Sequence, residues 1–196
     1  HFIARRKRLL QIIGDGVAII PTAPEVIRNR DAHHLYRFDS YFWYLSGFPE
    51  PEAVVVLIGA RDGKSKPKSI LFCREKHEER EIWDGFRLGP AAAPEVLGVD
   101  AAFSSTELDA QAPKLLDNRG VVWYPFATHR GLETKVDGWL NSLRARVRFG
   151  AMCPDQQRDL CGILDEMRLV KDASEQDTMR RAAQISAGAH IRAMQL

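Results

Sequence analysis

Acidic and histidine side chains that could do chemistry cluster at two places in the first third of the chain. Glu50 and Glu52 flank a proline in an extended segment, which places both carboxylates on the same side of the chain, and paired acids can perform acid–base catalysis. Beside a turn, such acids more often contact the backbone or solvent, and that interpretation is favoured here. The adjacent His33 and His34 point in different directions, and with Asp31 they form either a polar cleft or a surface loop.

Other histidines give no sign of a metal site. The segment KHEERE at 76–81 lacks a second histidine four residues after the first, so a charged turn or helix is favoured there. His129 and His190 have no neighbour at ligand spacing and are predicted to be structural or exposed. The sequence contains no GxGxxG, Walker, GxSxG or HExxH pattern. It therefore predicts neither a catalytic residue nor a metal ligand in this chain.

Trp83 is the residue whose position favours a binding role. It lies in EIWDGFRLGP at 81–90, between an acidic stretch and a glycine-rich turn, and outside any strand or helix pattern, so a loop is predicted. A tryptophan on a loop exposes a large apolar ring unless the ring meets a partner. Two interpretations remain open: the ring folds back onto its own core, or it reaches a ligand or a neighbouring subunit.

The composition is that of an ordinary globular protein. The chain has 196 residues, 45% of them hydrophobic, with 28 basic and 26 acidic side chains and a net charge of +2. This balance argues against a nucleic-acid partner, and no apolar window long enough to span a membrane occurs. The basic cluster at 5–8 is predicted to be a solvated helix face. Three cysteines without a CxxC pair predict a reducing, cytoplasmic compartment.

Strands that alternate with helices predict an α/β sheet with helices on its faces. Strands are predicted at 17–21, 53–59, 69–73, 101–103 and 120–125. Helices are predicted at 2–13, 93–99, 105–116 and 132–143. Residues 61–68 are expected to form the turn of a hairpin, and 22–40 a long loop. Ser104 and Glu107 fit a capping box at the start of the third helix.

The aromatic run from Tyr41 to Tyr44 is either a binding surface or a plug that packs against the edge of the sheet. In an extended segment, alternation places Phe42 and Tyr44 on one side and Tyr41 and Trp43 on the other. One side can then pack while the other meets solvent or a partner. The plug is the favoured interpretation.

The stretch from 155 onward is predicted to form two helices joined at 170–173, with Asp172 and Glu175 as a second cap. The last helix has a face of small and apolar residues, which has no predicted partner in the remaining sequence. These residues are Met179, Ala182, Ala183, Ser186, Ala189 and Met194. We therefore expect the sequence to end at a severed boundary within a larger protein.

Three long segments resemble the family of Xaa-Pro aminopeptidases, or aminopeptidase P: 23–58, 81–100 and 164–194. The first shares the Tyr36-Arg37 pair, Ser40, the FxYxSGF pattern at 42–48 and the EPEA run at 50–53. The second shares Trp83, Gly85, Arg87 and the AAPExLGV run at 92–99. The third resembles the linker and first helix of the family's catalytic domain. These segments lie near the start, the middle and the end of the sequence, so the resemblance spans almost the whole chain.

The resemblance implies a mixed β-sheet with helices on both faces, a non-catalytic domain at 1–168, and at 169–196 the start of the catalytic domain. It implies that two metal ions, usually manganese, are bound by the remainder of the catalytic domain, so the chain alone is expected to be inactive. It also implies a homo-oligomer in which Trp83, Asp31 and Arg148 line the substrate cleft. The expected substrate is a peptide with proline at its second position.

Two alternatives stay open at this point. The fold could serve as a stand-alone binding or scaffold module, or the chain could be the N-terminal domain of a prolidase or a creatinase-type amidinohydrolase. The blocks FWYLSGFPEPEA and EIWDGFRLGP favour the aminopeptidase over the prolidase.

Overall fold

A six-stranded mixed β-sheet forms the centre of the chain in the computed structural model, which describes residues 1–61 and 65–195. Its strands are β1 (Val17–Pro21), β4 (Val54–Ile58), β5 (Lys68–Cys73), β6 (Ala101–Ser104), β7 (Val121–Tyr124) and β8 (Gln156–Asp159). They lie in the order β6-β5-β4-β1-β7-β8. β4 is antiparallel to both of its neighbours, and the other adjacent pairs are parallel. The carboxyl ends of the five other strands therefore meet at one edge of the sheet.

Both faces of this sheet are covered, because alternate side chains of β1, β4 and β5 are apolar on either side. On one face Ile19, Val56 and Phe72 pack in a core with α5 (Leu108–Leu116) and α6 (Leu132–Arg144). The opposite face contacts α1 (Phe2–Ile13), α2 (Ser40–Ser46) and α4 (Gly89–Leu97). This arrangement confirms the predicted α/β class, with a mixed sheet and helices on both faces.

The chain divides into two compact units, His1–Leu160 and Cys161–Leu196. The second contains α7 (Cys161–Leu169) and α8 (Ala173–Met194), and no described residue of α8 is buried. At the start of α8, Asp172 accepts from Glu175 N at 3.0 Å while Glu175 accepts from Asp172 N at 3.0 Å, which confirms the second predicted cap. The domain boundary after residue 168 stays a prediction. Within residues 1–61 and 65–195, no helix has the length and apolar character needed to cross a bilayer.

Most elements lie where the apolar patterns predict them. The predicted strands correspond to β1, β4, β5, β6 and β7, and the first and last predicted helices of the larger unit correspond to α1 and α6. β4 and β5 pair antiparallel, with Val54 opposite Phe72, as expected for the predicted hairpin. Its predicted turn at 61–68 includes residues 62–64, which lie outside the described residues.

The predictions for residues 22–40, for the segment after 155 and for the cap near 105 were wrong. The predicted loop at 22–40 contains a small antiparallel hairpin, β2 (Ile27–Asn29) with β3 (Ala32–His33). The segment after 155 begins with the edge strand β8 rather than a helix, and all four of its residues are exposed. The helix near 105 lacks the Ser104–Glu107 capping box. It starts instead with a 3₁₀ turn, and the Ser104 hydroxyl lies 2.9 Å from the Thr106 hydroxyl.

The aromatic run forms the helix α2 and not an extended segment. The helix begins because the Asp39 carboxylate accepts hydrogen bonds from Tyr41 N at 2.8 Å and Phe42 N at 2.9 Å. It ends at Gly47, whose φ of 65° lies in the left-handed region. Phe42 and Tyr44 are nevertheless buried as expected, so the run packs the sheet mainly through that pair.

The basic cluster at 5–8 is only half solvated. Arg5 and Arg6 are buried, while Lys7 and Arg8 are exposed. The Arg6 guanidinium donates to Leu45 O at 2.9 Å, and its other terminal nitrogen donates to carbonyl oxygens at the end of α4. The prediction of a solvated face was therefore wrong for Arg5 and Arg6, because backbone acceptors compensate for the burial of their charges.

Candidate functional site

Trp83 lies on a short helix and not on the predicted loop. Helix α3 (Glu78–Asp84) begins at His77, whose Nδ1 accepts from Arg80 N at 3.4 Å. Acidic residues in its first turn, Glu78 among them, interact favourably with the positive end of the helix dipole. The helix ends at a glycine with a positive φ, and none of its residues is buried. The sequence predicted a charged turn or helix at 76–81 but a loop at Trp83, because a helix without a buried face carries no apolar period that would show where it ends.

The rings and aliphatic side chains around Trp83 face solvent. The exposed fraction is 87% for Trp83, 78% for Ile82 and 67% for Phe86. This exposure rules out the interpretation in which the Trp83 ring folds back onto its own core. Exposed apolar side chains of this size, so close in the sequence, are typical of a surface that contacts a ligand or another protein.

The other two predicted cleft residues lie on separate elements. Asp31 occupies the turn between β2 and β3, and Arg148 lies in a 3₁₀ turn at Val147–Phe149. Both side chains are exposed. Within the described part of the chain, no hydrogen bond or ion pair joins Asp31, Trp83 and Arg148 to one another. Their grouping at one substrate cleft stays a prediction.

Glu50 and Glu52 do not form a catalytic pair. Glu50 is buried, and its Oε1 accepts from Leu88 N at 2.8 Å. Glu52 is exposed and lines a different region, a cleft beside β1 and β4. The two carboxylates therefore meet different surroundings. The prediction that they lie on one side of the chain was wrong because Glu52 adopts a φ of 54°, which breaks the extended conformation.

The carboxyl edge of the sheet carries a cleft that the sequence did not predict. Its volume is about 950 Å³, and it lies among the ends of β1 and β6 and the beginnings of β4 and α6. The polar and aromatic lining residues include Thr22, Glu25, Asp109, His129, Lys135 and Trp139. Ligands often bind where the carboxyl ends of strands meet, but this rule requires the strand order, which the sequence alone does not provide.

Beside this cleft, His129 ties the loop before α6 to the start of α2. Its Nε2 lies 3.8 Å from Asp39 Oδ2, which is too long for a hydrogen bond, and the two groups form an ion pair only when the histidine is protonated. Burial lowers the pKa of His129, whereas the Asp39 and Glu133 carboxylates partly oppose that shift. The other Asp39 oxygen caps α2. The pair therefore joins two elements, as expected for a structural histidine.

The described residues do not fit a two-metal centre. No group of three or more His, Cys, Asp or Glu side chains that could hold a metal ion occurs within residues 1–61 and 65–195. The chemistry that Trp83 and its apolar neighbours can provide is contact with apolar groups of a ligand or another protein. An aromatic ring stacks on such groups and takes no part in proton transfer.

Comparison with known proteins identifies the family. Residues 2–123 match the family described as "Aminopeptidase P, N-terminal domain". The sequence is 40% identical to Xaa-Pro aminopeptidase of Escherichia coli strain K12 over 196 residues, which is all of this chain and 44% of that protein.

Solved structures give the same result. Pseudomonas aeruginosa aminopeptidase PepP matches with a TM-score of 0.93 and 42% identity, over 100% of this chain and 44% of that one. E. coli aminopeptidase P with the inhibitor Pro-Leu matches with a TM-score of 0.93 and 41% identity, over 98% and 44% of the two chains. The chain thus spans less than half the length of these relatives. Its match to the family covers residues 2–123, well over half of the chain, and the chain therefore belongs to the aminopeptidase P N-terminal domain family.

Proposed function

We propose that this chain is the non-catalytic part of a metal-dependent Xaa-Pro aminopeptidase, which removes the N-terminal residue that precedes proline. The observation that carries the proposal is the 40% identity along the whole chain to E. coli Xaa-Pro aminopeptidase, of which it spans 44%. A second support is that a similar solved relative binds the inhibitor Pro-Leu, which contains proline.

The reaction is assigned to a C-terminal catalytic domain that this chain accompanies. We propose that two manganese ions are held there, where they would activate a water molecule and polarise the scissile carbonyl. No ligand of these ions is assigned to residues 1–61 or 65–195, because no suitable group of side chains occurs among them. The chain alone is accordingly proposed to be inactive.

The role proposed for this chain is to form a wall of the substrate cleft and a surface for assembly. Trp83 is the proposed wall residue, in its own or a neighbouring subunit of a homo-oligomer, and the support is the 87% exposure of its side chain. Asp31 and Arg148 are proposed to line the same cleft, and the support is that both are exposed. A restricted cleft would select short peptides with proline at the second position.

We propose a cytoplasmic location from the state of the cysteines. All three cysteines lie in the described part of the chain, and none of them forms a disulfide. Burial raises the pKa of the Cys73 thiol to about 12, which makes this thiol a poor nucleophile. Cysteines left without disulfides are typical of a reducing compartment.

The decisive experiment compares the intact protein with the 196-residue chain. Each is incubated with manganese and a tripeptide that carries proline at position two, and release of the first residue is measured. We expect manganese-dependent release by the intact protein and none by the chain alone. A prolidase would instead cleave the Xaa-Pro dipeptide, and turnover by the chain alone would contradict the proposal.

A further inference from the structure

The segment that carries Trp83 leaves the body of the domain and returns to it. It runs from the end of β5 to the start of α4, and we name residues 75–87 the α3 excursion. Helix α3 at its centre has no buried residue. Because α3 has no core of its own, its direction depends on how the two ends of the excursion are held.

The Glu50 carboxylate contacts both ends of the α3 excursion. Its Oε1 accepts from the backbone N of Leu88, just after the excursion, at 2.8 Å. Its Oε2 lies 3.7 Å from Nη2 of Arg74, just before the excursion. The first contact is a hydrogen bond and the second is a charge pair. Glu50 itself belongs to the connection between α2 and β4, so it holds the excursion from outside.

Both charges of this pair are shielded from water. The side chain of Arg74 is 10% exposed and that of Glu50 is 11% exposed. In such a site the attraction is screened much less than on the surface, and removal of one partner leaves the other charge buried without compensation. Loss of the Glu50 carboxylate would therefore leave the Arg74 charge buried without its partner and Leu88 N without its acceptor.

Close packing at the same base gives a second, independent constraint. A Cβ atom added to Gly89 would lie 3.2 Å from both Cβ and N of Lys76, and the φ of Gly89 is +73°. The chain entering the excursion thus touches the chain leaving it. The base is narrow, and a small shift there moves the exposed helix beyond it.

We propose that Glu50 is a positioning residue that sets the orientation of α3 and so of the Trp83 ring. This inference rests on the proposed function of Trp83 as a wall of the substrate cleft. Glu50 itself touches no substrate. It explains why a buried acid follows the aromatic helix in the sequence although it forms no catalytic pair with Glu52.

The test is made in the intact protein with Glu50→Ala and Glu50→Gln, and with Glu95→Gln on the exposed side of α4 as the control. Glutamine keeps the acceptor for Leu88 N but loses the charge that pairs with Arg74. Hydrogen exchange is measured along the whole chain. We expect faster exchange confined to residues 75–88 in Glu50→Ala, a smaller increase in Glu50→Gln, and no change in Glu95→Gln.

Kinetics with a Xaa-Pro tripeptide provide the second measurement. We expect Glu50→Ala to raise KM about tenfold with little change in kcat, as loss of a binding wall would. In a Trp83→Ala background the same substitution should have no further effect, because the ring that it positions is already absent. A merely structural role would give effects that add.

Each outcome has one meaning. Unchanged exchange at 75–88 overturns the proposal, and so does a KM effect that adds fully to that of Trp83→Ala. If Glu50→Ala loosens the whole domain, Glu50→Gln decides by the same criteria. If exchange rises at 75–88 but Trp83→Ala leaves the kinetics unchanged, Glu50 positions α3 as proposed and the role of Trp83 at the substrate fails.

Discussion

At the scale of single residues, Arg6 shows how a local pattern can hide a structural role. Its side chain donates to Leu45 O at 2.9 Å, to Leu97 O at 2.7 Å and to Gly98 O at 2.6 Å. These carbonyls lie at the carboxyl ends of α2 and α4, where helices leave acceptors unsatisfied. One guanidinium therefore joins α1 to two other helices. In the sequence Arg6 is only one of four basic residues in a row. Its role cannot be seen there, because the carbonyl acceptors are 39 to 92 positions away.

We predict that Arg6→Ala lowers the free energy of unfolding by at least about 3 kcal/mol, because three buried or half-buried carbonyls lose a charged donor. Urea unfolding of the chain measures this change. Arg8→Ala is the matched control, because Arg8 lies two residues after Arg6 and its side chain is exposed. We expect this variant to change the free energy of unfolding by no more than about 0.5 kcal/mol. Equal effects of the two substitutions would contradict the conclusion that Arg6 joins α1 to α2 and α4.

At the scale of elements, α2 was predicted as an extended segment because its aromatic residues suit a strand equally well. The decisive signals were at its two ends, in the Asp39 cap and the left-handed Gly47. Gly47 also lies against α1, since a Cβ atom there would overlap the ring of Phe2. Helix α2 therefore depends on a glycine for both its conformation and its packing.

Gly47→Ala is expected to lower the free energy of unfolding by about 2 kcal/mol or more, because left-handed strain and overlap with the Phe2 ring act together. The control is Gly131→Ala, where φ is +82° and no atom lies within 4 Å of the added Cβ. That variant should show the strain alone, about 1 kcal/mol. If the two variants lose the same stability by urea unfolding, the contact with Phe2 has no effect.

The elements that the sequence predicted are those with buried faces. β1, β4 and β5 are runs of apolar residues, and α6 buries a regular stripe, so their patterns report their surroundings directly. β8, the β2–β3 hairpin and α3 are exposed. The formation of β8 depends on pairing with β7, that of the hairpin on its tight turn, and that of α3 on its cap at His77. Those features leave little periodic signal in the sequence.

At the scale of the whole molecule, the candidate site was predicted only in part. The sequence singled out Trp83, and its exposure agrees with a contact surface. The cleft at the carboxyl edge and the contact of Glu50 with both ends of the α3 excursion could not be predicted. Both bring together residues far apart in the chain, and their formation follows from the strand order.

The larger unit, His1–Leu160, thus has the design of a scaffold that presents the exposed helix α3. The sheet and its two layers of helices bury the core, and the α3 excursion carries an aromatic ring that is exposed and outside that core. On the proposed function, this ring would gain a stabilising partner when the substrate cleft is assembled around it.

The most direct test of this account is Trp83→Ala in the intact protein, measured by kcat/KM for a Xaa-Pro tripeptide and by thermal unfolding. Val96→Ala, which removes an exposed apolar side chain from α4, is the control. We predict a loss of kcat/KM of about tenfold or more, with the melting temperature unchanged within about 2 °C. An unchanged kcat/KM together with a large loss of thermal stability would contradict the account, because the ring would then act in packing and not at the substrate.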